Sequence, residues 1–280
     1  MDLTLGFSPC PNDTFIFDNW VNGKLANNTL HVSPTLADVE QLNAMAKNAA
    51  LDVTKISFGV YPFIADKYQI LDAGSALGFG CGPLLISKKE IQFSDFENTD
   101  LKVAIPGFST TANLLLSLAF PSVKNKVEYV FSDIESAVLT GKVDAGLIIH
   151  ENRFTYQKLG LRKIIDLGEY WESLYNLPIP LGCIVVKRTL RDAVKIQINA
   201  AIKKSVEVAF ENPVGTMDYV AQHAQTMELS VMNQHIDLYV NKYSISLGDE
   251  GHKAIEKLFS VGKTNGLFEF DLESIFAPKA

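Results

Sequence analysis

The sequence predicts an α/β protein of two lobes around a central cleft, joined by two crossover segments, and three observations carry that expectation. Short apolar runs alternate with helical patterns over the first 150 residues, the order of βαβ units around a parallel sheet. Two apolar runs, 84–87 and 181–186, sit beside Gly and Pro (Gly82-Pro83; Pro178, Pro180, Gly182), a composition suited to strands entering one lobe from the other. The length, 280 residues, exceeds the usual size of one compact core. Two crossings divide the chain into a discontinuous first lobe, 1–85 and 187–280, and a continuous second lobe, 86–186, with a cleft between them.

Residues 3–7 are a short apolar strand, and Ser8-Pro9-Cys10-Pro11-Asn12-Asp13 breaks it before a helical pattern runs from Thr14 to Val21 and ends at Gly23. Leu36, Val39, Leu42, Met45, Ala46 and Ala49 recur at three-to-four spacing, which predicts a core-facing helix with Thr35 at its N-cap and Asp38 at N3. Strands follow at 52–60 and 101–105. The second meets Pro106-Gly107 and leads to an apolar helix over 111–120, stopped by Pro121. A strand at 127–131, a capping box at 132–135 opening a helix that closes at Gly141, and a strand at 145–150 ending in His150 continue the alternation. Strands at 163–167 and 181–186 come next. Beyond Thr189 the pattern is helical: one long helix starts at Thr189 with Asp192 and halts at Asn212-Pro213, and two more are expected over 230–243 and 249–265.

With 25 Lys+Arg against 32 Asp+Glu the formal charge is -7, so no global field draws the chain onto nucleic acid or an anionic membrane. Cys10, Cys81 and Cys183 are odd in number and far apart, which fits neither a disulfide framework nor a C-x-x-C knuckle and suits a reducing compartment. The first residues carry no Lys or Arg, prolines interrupt the first apolar run, and no run approaches the ~18 to 20 residues that span a bilayer. The expectation is a cytoplasmic protein acting on a small molecule, with no nucleic acid, membrane or obligate protein partner.

Candidate site residues lie where strands end. Ser8, Pro9 and Asn12 stand at the mouth of a helix, where unpaired N–H groups favour an anion, although capping by Asn12 or Asp13 explains the same pattern. Cys10, with no basic residue near in sequence, reads as a packed thiol rather than a nucleophile. Pro106-Gly107-Phe108-Ser109-Thr110-Thr111-Ala112 repeats the strand, turn and helix arrangement with hydroxyls suited to a carboxylate or to capping; it matches neither a Walker A nor a G-x-G-x-x-G pattern. His150, at the carboxyl end of its strand, is placed as a proton shuttle or as a solvated strand-end histidine. His252 with Glu256 is a weak metal signal, and His31, His223 and His235 show no partner pattern. Phe154, Tyr156, Tyr170 and Trp171 are candidates to wall a planar ligand or to fill the core.

Ser8-Pro9-Cys10-Pro11-Asn12-Asp13-Thr14-Phe15 resembles the 1,4-dihydroxy-6-naphthoate synthase family of the futalosine route to menaquinone. Matching segments follow in order across nearly the whole chain: residues 52–57, Gly82-Pro83-Leu84, Pro106-Gly107 with Thr110-Thr111-Ala112, 146–151, 177–182, and Tyr239-Val240-Asn241. The resemblance implies a fold similar to type II periplasmic binding proteins and the conversion of cyclic dehypoxanthinyl futalosine to 1,4-dihydroxy-6-naphthoate, with release of a three-carbon fragment, dihydroxyacetone. It implies His150 as proton acceptor, and Lys55, Ile56 and Ser57, then Thr111 with Ala112, as substrate-contacting segments. Lys55 and the helix N-terminus at Thr111 are expected to neutralise an aryl carboxylate, with no metal and no cofactor. The alternatives are a non-catalytic cytoplasmic binder of an aromatic carboxylate and the related chorismate dehydratase.

Overall fold

Eleven strands among the described residues form two sheets in the computed structural model, which describes residues 2–26, 28–98, 100–224, 228–271 and 273–279. The first sheet contains β1 (Asp2–Phe7), β2 (His31–Leu36), β3 (Val53–Ser57), β4 (Tyr68–Ile70), β5 (Ala76–Gly78) and, from much later in the chain, β11 (Ile179–Lys187). The second holds β6 (Leu84–Ser87), β7 (Val103–Ile105), β8 (Lys126–Glu128), β9 (Ala145–Ile148) and β10 (Arg162–Asp166). The orders are β2-β1-β3-β11-β4, with β5 also paired to β11, and β10-β6-β9-β7-β8. In each sheet a parallel group (β2-β1-β3; β8-β7-β9) meets antiparallel strands that return the chain.

Parallel strands covered on both faces read as continuous apolar runs, and β3 and β9 are buried at every position. The Pro11–Val21 helix lies against the Asp192–Glu211 helix, sealing Phe7, Phe17, Trp20, Ile198, Ile202 and Val206 in one core; Phe7 and Phe17 stack at 4.7 Å. Burying a side chain of this size contributes about 1.5–3 kcal/mol. A second cluster is continuous between the sheets, joining Ile56, Tyr61 and Phe259 to Leu116, Leu147 and Trp171. That shared core brings the carboxyl ends of β3 and β9 toward one cleft.

The division of the chain differs from expectation at two strands, β11 and the start of β6. Residues 181–186, assigned to the second lobe, pair entirely within the first sheet, because β11 fills the place between β3 and β4. The passages between sheets are therefore 79–83 and 176–178, and β6 lies wholly in the second sheet. Arg153 ties the first passage down, donating to the carbonyls of Gly82 and Gly80 and to Asp166 Oδ2 at 2.6 Å.

Several element bounds also move. The first helix begins at Pro11 rather than Thr14, since proline at the first helical position gives up an N–H that has no partner anyway. Thr35 and Leu36 belong to β2, so the cap passes to Asp38, which accepts from Glu40 and Gln41 and forms the capping box with Gln41. The capping box expected at 132–135 does not form: Asp133 makes no side-chain cap, and Glu135 accepts from Asn152 instead. Asp192 opens the long helix with Arg191, not Thr189, at its N-cap. The helix expected over 230–243 ends at Tyr239, and Asn241 caps a separate turn, Lys242–Ile245. No helix among the described residues is long and apolar enough to cross a membrane.

Candidate active site

The cleft opens at the carboxyl ends of β1, β3 and β9, and each contributes one chemical group. After β1, Cys10 takes an extended conformation and Pro11 starts the helix, which sets Asp13 in the first turn where the helix dipole favours a carboxylate. Asp13 Oδ2 accepts from the Ser8 amide (3.2 Å) and hydroxyl (2.7 Å), and Oδ1 accepts from Asn12 Nδ2 (2.9 Å) and pairs with Lys55 Nζ at 3.0 Å. Lys55, on β3, also donates to the Gly74 carbonyl at 3.1 Å. Its charge is thus paired within the protein, and the residue also lines the cleft.

From the second sheet come Thr110 and Thr111. Thr110 is the N-cap of the Thr111–Ala119 helix, accepting from the Asn113 amide (3.2 Å) and donating to the Gly107 carbonyl (2.7 Å). Thr111 Oγ1 accepts from the Gly59 amide (3.0 Å) and donates to the Leu181 carbonyl (2.6 Å), so this hydroxyl ties the second sheet to the first at the cleft. Among the described residues the amides of Thr111 and Ala112 have no hydrogen-bond partner, as the first turn of a helix requires. Gly59 is obligatory here: a Cβ would meet the Thr110 carbonyl oxygen at 2.6 Å. The neighbouring Ser109 accepts from Lys47 at 2.5 Å, a bridge across the cleft mouth.

His150 follows β9 with φ +57°, a left-handed conformation that is unfavourable for a residue with a Cβ and turns the ring into the cleft. Its ring packs edge-on against Phe131 (5.0 Å) and parallel to His235 (6.0 Å, 11°), and no protein group among the described residues hydrogen-bonds it. Burial pulls the His150 imidazole below its ordinary value, although Glu151 and Asp13 act in the opposite sense. A neutral, unpartnered imidazole in a cleft is equipped to accept a proton.

These groups line one cleft whose empty space, counted out to its open mouth, is about 710 Å³. Ser8, Asn12, Lys55, Ile56, Ser57 and His150 face it, as do Thr110, Thr111 and Ala112; Pro9 does not. Nor do Phe154, Tyr156, Tyr170 or Trp171, the last being core; Tyr239 supplies the aromatic wall. His252 faces Asp72 Oδ1 at 3.4 Å, away from the cavity. Cys10 Sγ, a His150 nitrogen and a Glu151 oxygen lie within 4.8 Å of one another, but burial pushes the Cys10 thiol well up, so a packed thiol, not a thiolate, stands there.

A family model described as menaquinone biosynthesis matches residues 3–264. The chain belongs to this family. It is 41% identical over 270 residues to a protein of Streptomyces coelicolor named 1,4-dihydroxy-6-naphthoate synthase, covering 95% of this chain and 94% of that one. A protein of the same name from Thermus thermophilus is 41% identical over 265 residues, covering 95% of each. A crystal structure of an Archaeoglobus fulgidus protein superposes with TM-score 0.89 at 34% identity, over 95% of this chain and 98% of that one. The periplasmic aliphatic sulphonate-binding protein of Escherichia coli gives TM-score 0.66 at 12% identity over 95% and 88% of the two chains, which shows the binding-protein fold alone.

Within this family member, sequence reasoning missed three residues of the site. Asp13 was visible only as a possible cap, because its partner Lys55 is 42 positions away. His235 and Tyr239, one helical turn apart, come from the far end of the chain; Tyr239 stood in a matched segment, while His235 carried no signal.

Proposed function

We propose that this protein is a carbon-carbon lyase, a 1,4-dihydroxy-6-naphthoate synthase that converts cyclic dehypoxanthinyl futalosine to 1,4-dihydroxy-6-naphthoate and releases a three-carbon fragment. The observation that carries the reading is His150: neutral, unpartnered, and held in a left-handed conformation facing the shared cavity. Its counterpart in argument is the pair of relatives bearing that name, each matched along nearly its full length.

Cleaving a carbon-carbon bond beside a carbonyl requires removal of a proton and stabilisation of the electron pair left on the fragment as an enolate. His150 accepts the proton. The unpaired amides of Thr111 and Ala112 are the donors available to an anionic group, either the enolate oxygen or the aryl carboxylate; Lys55 acts at one remove, fixing Asp13 and with it Ser8 and Asn12. The apolar walls from Leu42, Ile56, Leu181 and Tyr239 suit a planar bicyclic product. The reaction proceeds without metal or nucleotide, so turnover is expected to survive dialysis against a chelator. A cytoplasmic location accords with biosynthetic relatives.

The test is incubation of purified protein with cyclic dehypoxanthinyl futalosine while the naphthoate chromophore is followed. Its appearance in proportion to protein supports the reading; tight binding of substrate with no product would leave a binder instead.

A further inference from the structure

Behind His150 the protein places a second imidazole. His235, on the Leu229–Tyr239 helix, is fully buried and lies parallel to the His150 ring. Its tautomer follows from its neighbours. Asn12 must turn its NH₂ group toward Asp13 Oδ1 (2.9 Å), because a carboxylate only accepts. Asn12 Oδ1 therefore faces His235 Nε2 at 2.9 Å, and Nε2 carries a hydrogen.

The other ring nitrogen, Nδ1, faces Glu151 Oε2 at 3.6 Å. Both atoms are buried, and neither has a hydrogen-bond partner among the described residues. With no proton between them, two lone pairs would confront each other out of water, the arrangement that buried polar groups avoid.

We propose that Glu151 and His235 hold one proton between Glu151 Oε2 and His235 Nδ1, and that this neutral pair is a positioning device that fixes the charge beside His150. The inference rests on His150 being the proton acceptor. A Glu151 oxygen lies within 4.8 Å of a His150 nitrogen, so an unshared carboxylate would favour a protonated His150 before substrate arrived, whereas a neutral pair leaves the ring free to accept. The other groups around the pair do not supply that proton. Asp13 is committed to Lys55, Ser8 and Asn12; Glu135 accepts from Asn152; and burial keeps Cys10 and Tyr239 protonated.

The test needs no substrate. Side-chain ¹⁵N spectra of the full chain report whether His235 Nδ1 is bare or shares a hydrogen, and the His150 ring proton shifts report its titration midpoint. In the wild type and in E151Q, whose amide can donate to Nδ1, the Nδ1 resonance at pH 7.5 is expected at the hydrogen-bonded position. In E151L it should move to the bare lone-pair position. The His150 midpoint in E151Q should stay within about 0.3 unit of the wild type, because one neutral group has replaced another. A bare Nδ1 in the wild type, or a fall of about one unit or more in the E151Q midpoint, the mark of a lost negative charge, would overturn the proposal. The wild-type and E151Q spectra decide this whether or not E151L folds. Turnover adds a separate arm: E151Q should retain activity within about threefold, and E151L should lose roughly tenfold or more at unchanged KM. Wild-type protein that turns over no substrate refutes the lyase reading and leaves the spectroscopic result standing.

Discussion

On the wall of the cleft made by β3 and the Pro11–Val21 helix, Asp13 and Lys55 have partners on both sides: two from Ser8, one from Asn12, one from Gly74, and each other. On the wall that follows β9, His150 makes no side-chain hydrogen bond among the described residues, and Glu151 Oε2 and His235 Nδ1 face each other at 3.6 Å with no other partner among them. Both walls bury titratable groups, and they differ in what is left over. A satisfied network resists rearrangement and holds shape; unsatisfied groups keep their proton affinity for a ligand. On the lyase reading proposed above, the contrast suits the first wall to holding the cleft's shape and the second to proton transfer.

The largest expected effect falls on the second wall. His150→Ala should lower turnover by roughly 10²- to 10⁴-fold with substrate affinity nearly unchanged, the range for a positioned acid-base group. Single-turnover kinetics with a separate binding measurement check it, and a loss confined to affinity would move His150 to the scaffold. Next, Asp13→Ala should destabilise the fold by about 3–5 kcal/mol, because Lys55 is left charged and buried with only a carbonyl for company. Urea denaturation reads this directly; a change below 1 kcal/mol would show that the first wall is not held by the pair.

Where the walls meet, Gly59→Ala should cost about 1–3 kcal/mol by forcing the Thr110 carbonyl away, visible as a lowered thermal midpoint. Thr110→Ala, which removes a cap but no cleft contact between the sheets, should cost about 1 kcal/mol. Equal losses in these two would mean that the approach at Gly59 is softer than its geometry implies. The smallest effect near neutrality is that of pH. His150 and His235 are both held below the ordinary value by burial, with His150 adding to the shift at His235. The unfolded chain then binds more protons as pH falls below about 6.5, so their stabilising contribution is complete above that value and is lost as pH drops toward the folded values. The proton that Glu151 and His235 are proposed to hold in the folded chain is lost on unfolding near neutrality and acts in the opposite sense, so denaturation midpoints should hold or rise slightly from pH 7.5 to 6.5 and decline from 6.5 to 5.5; no decline below pH 6.5 would contradict neutral burial of the two histidines.

Local chemistry determined much of this protein before any packing was known. The alternation of apolar strand and helix, the stop at Asn212-Pro213, and the placement of His150 at a strand end are written in neighbouring residues, since they depend on periodicity, proline geometry and strand polarity. Strand ends and helix mouths also singled out Ser8, Pro9, Asn12 and Thr110–Ala112 as candidates, whereas Lys55, Ile56 and Ser57 came from the family resemblance alone. What only the tertiary structure decided is pairing between distant residues. Insertion of β11 between β3 and β4 moved the lobe boundary, because strand neighbours are chosen by long-range packing that a run of apolar residues does not specify. The pairing of Lys55 with Asp13 at 3.0 Å, and of the Thr111 hydroxyl with Gly59 and Leu181, joins positions that are remote in sequence. His235 was one histidine among five in the sequence; its burial against His150 and Glu151 comes from a helix packed across the cleft wall, and that contact has no counterpart in sequence spacing.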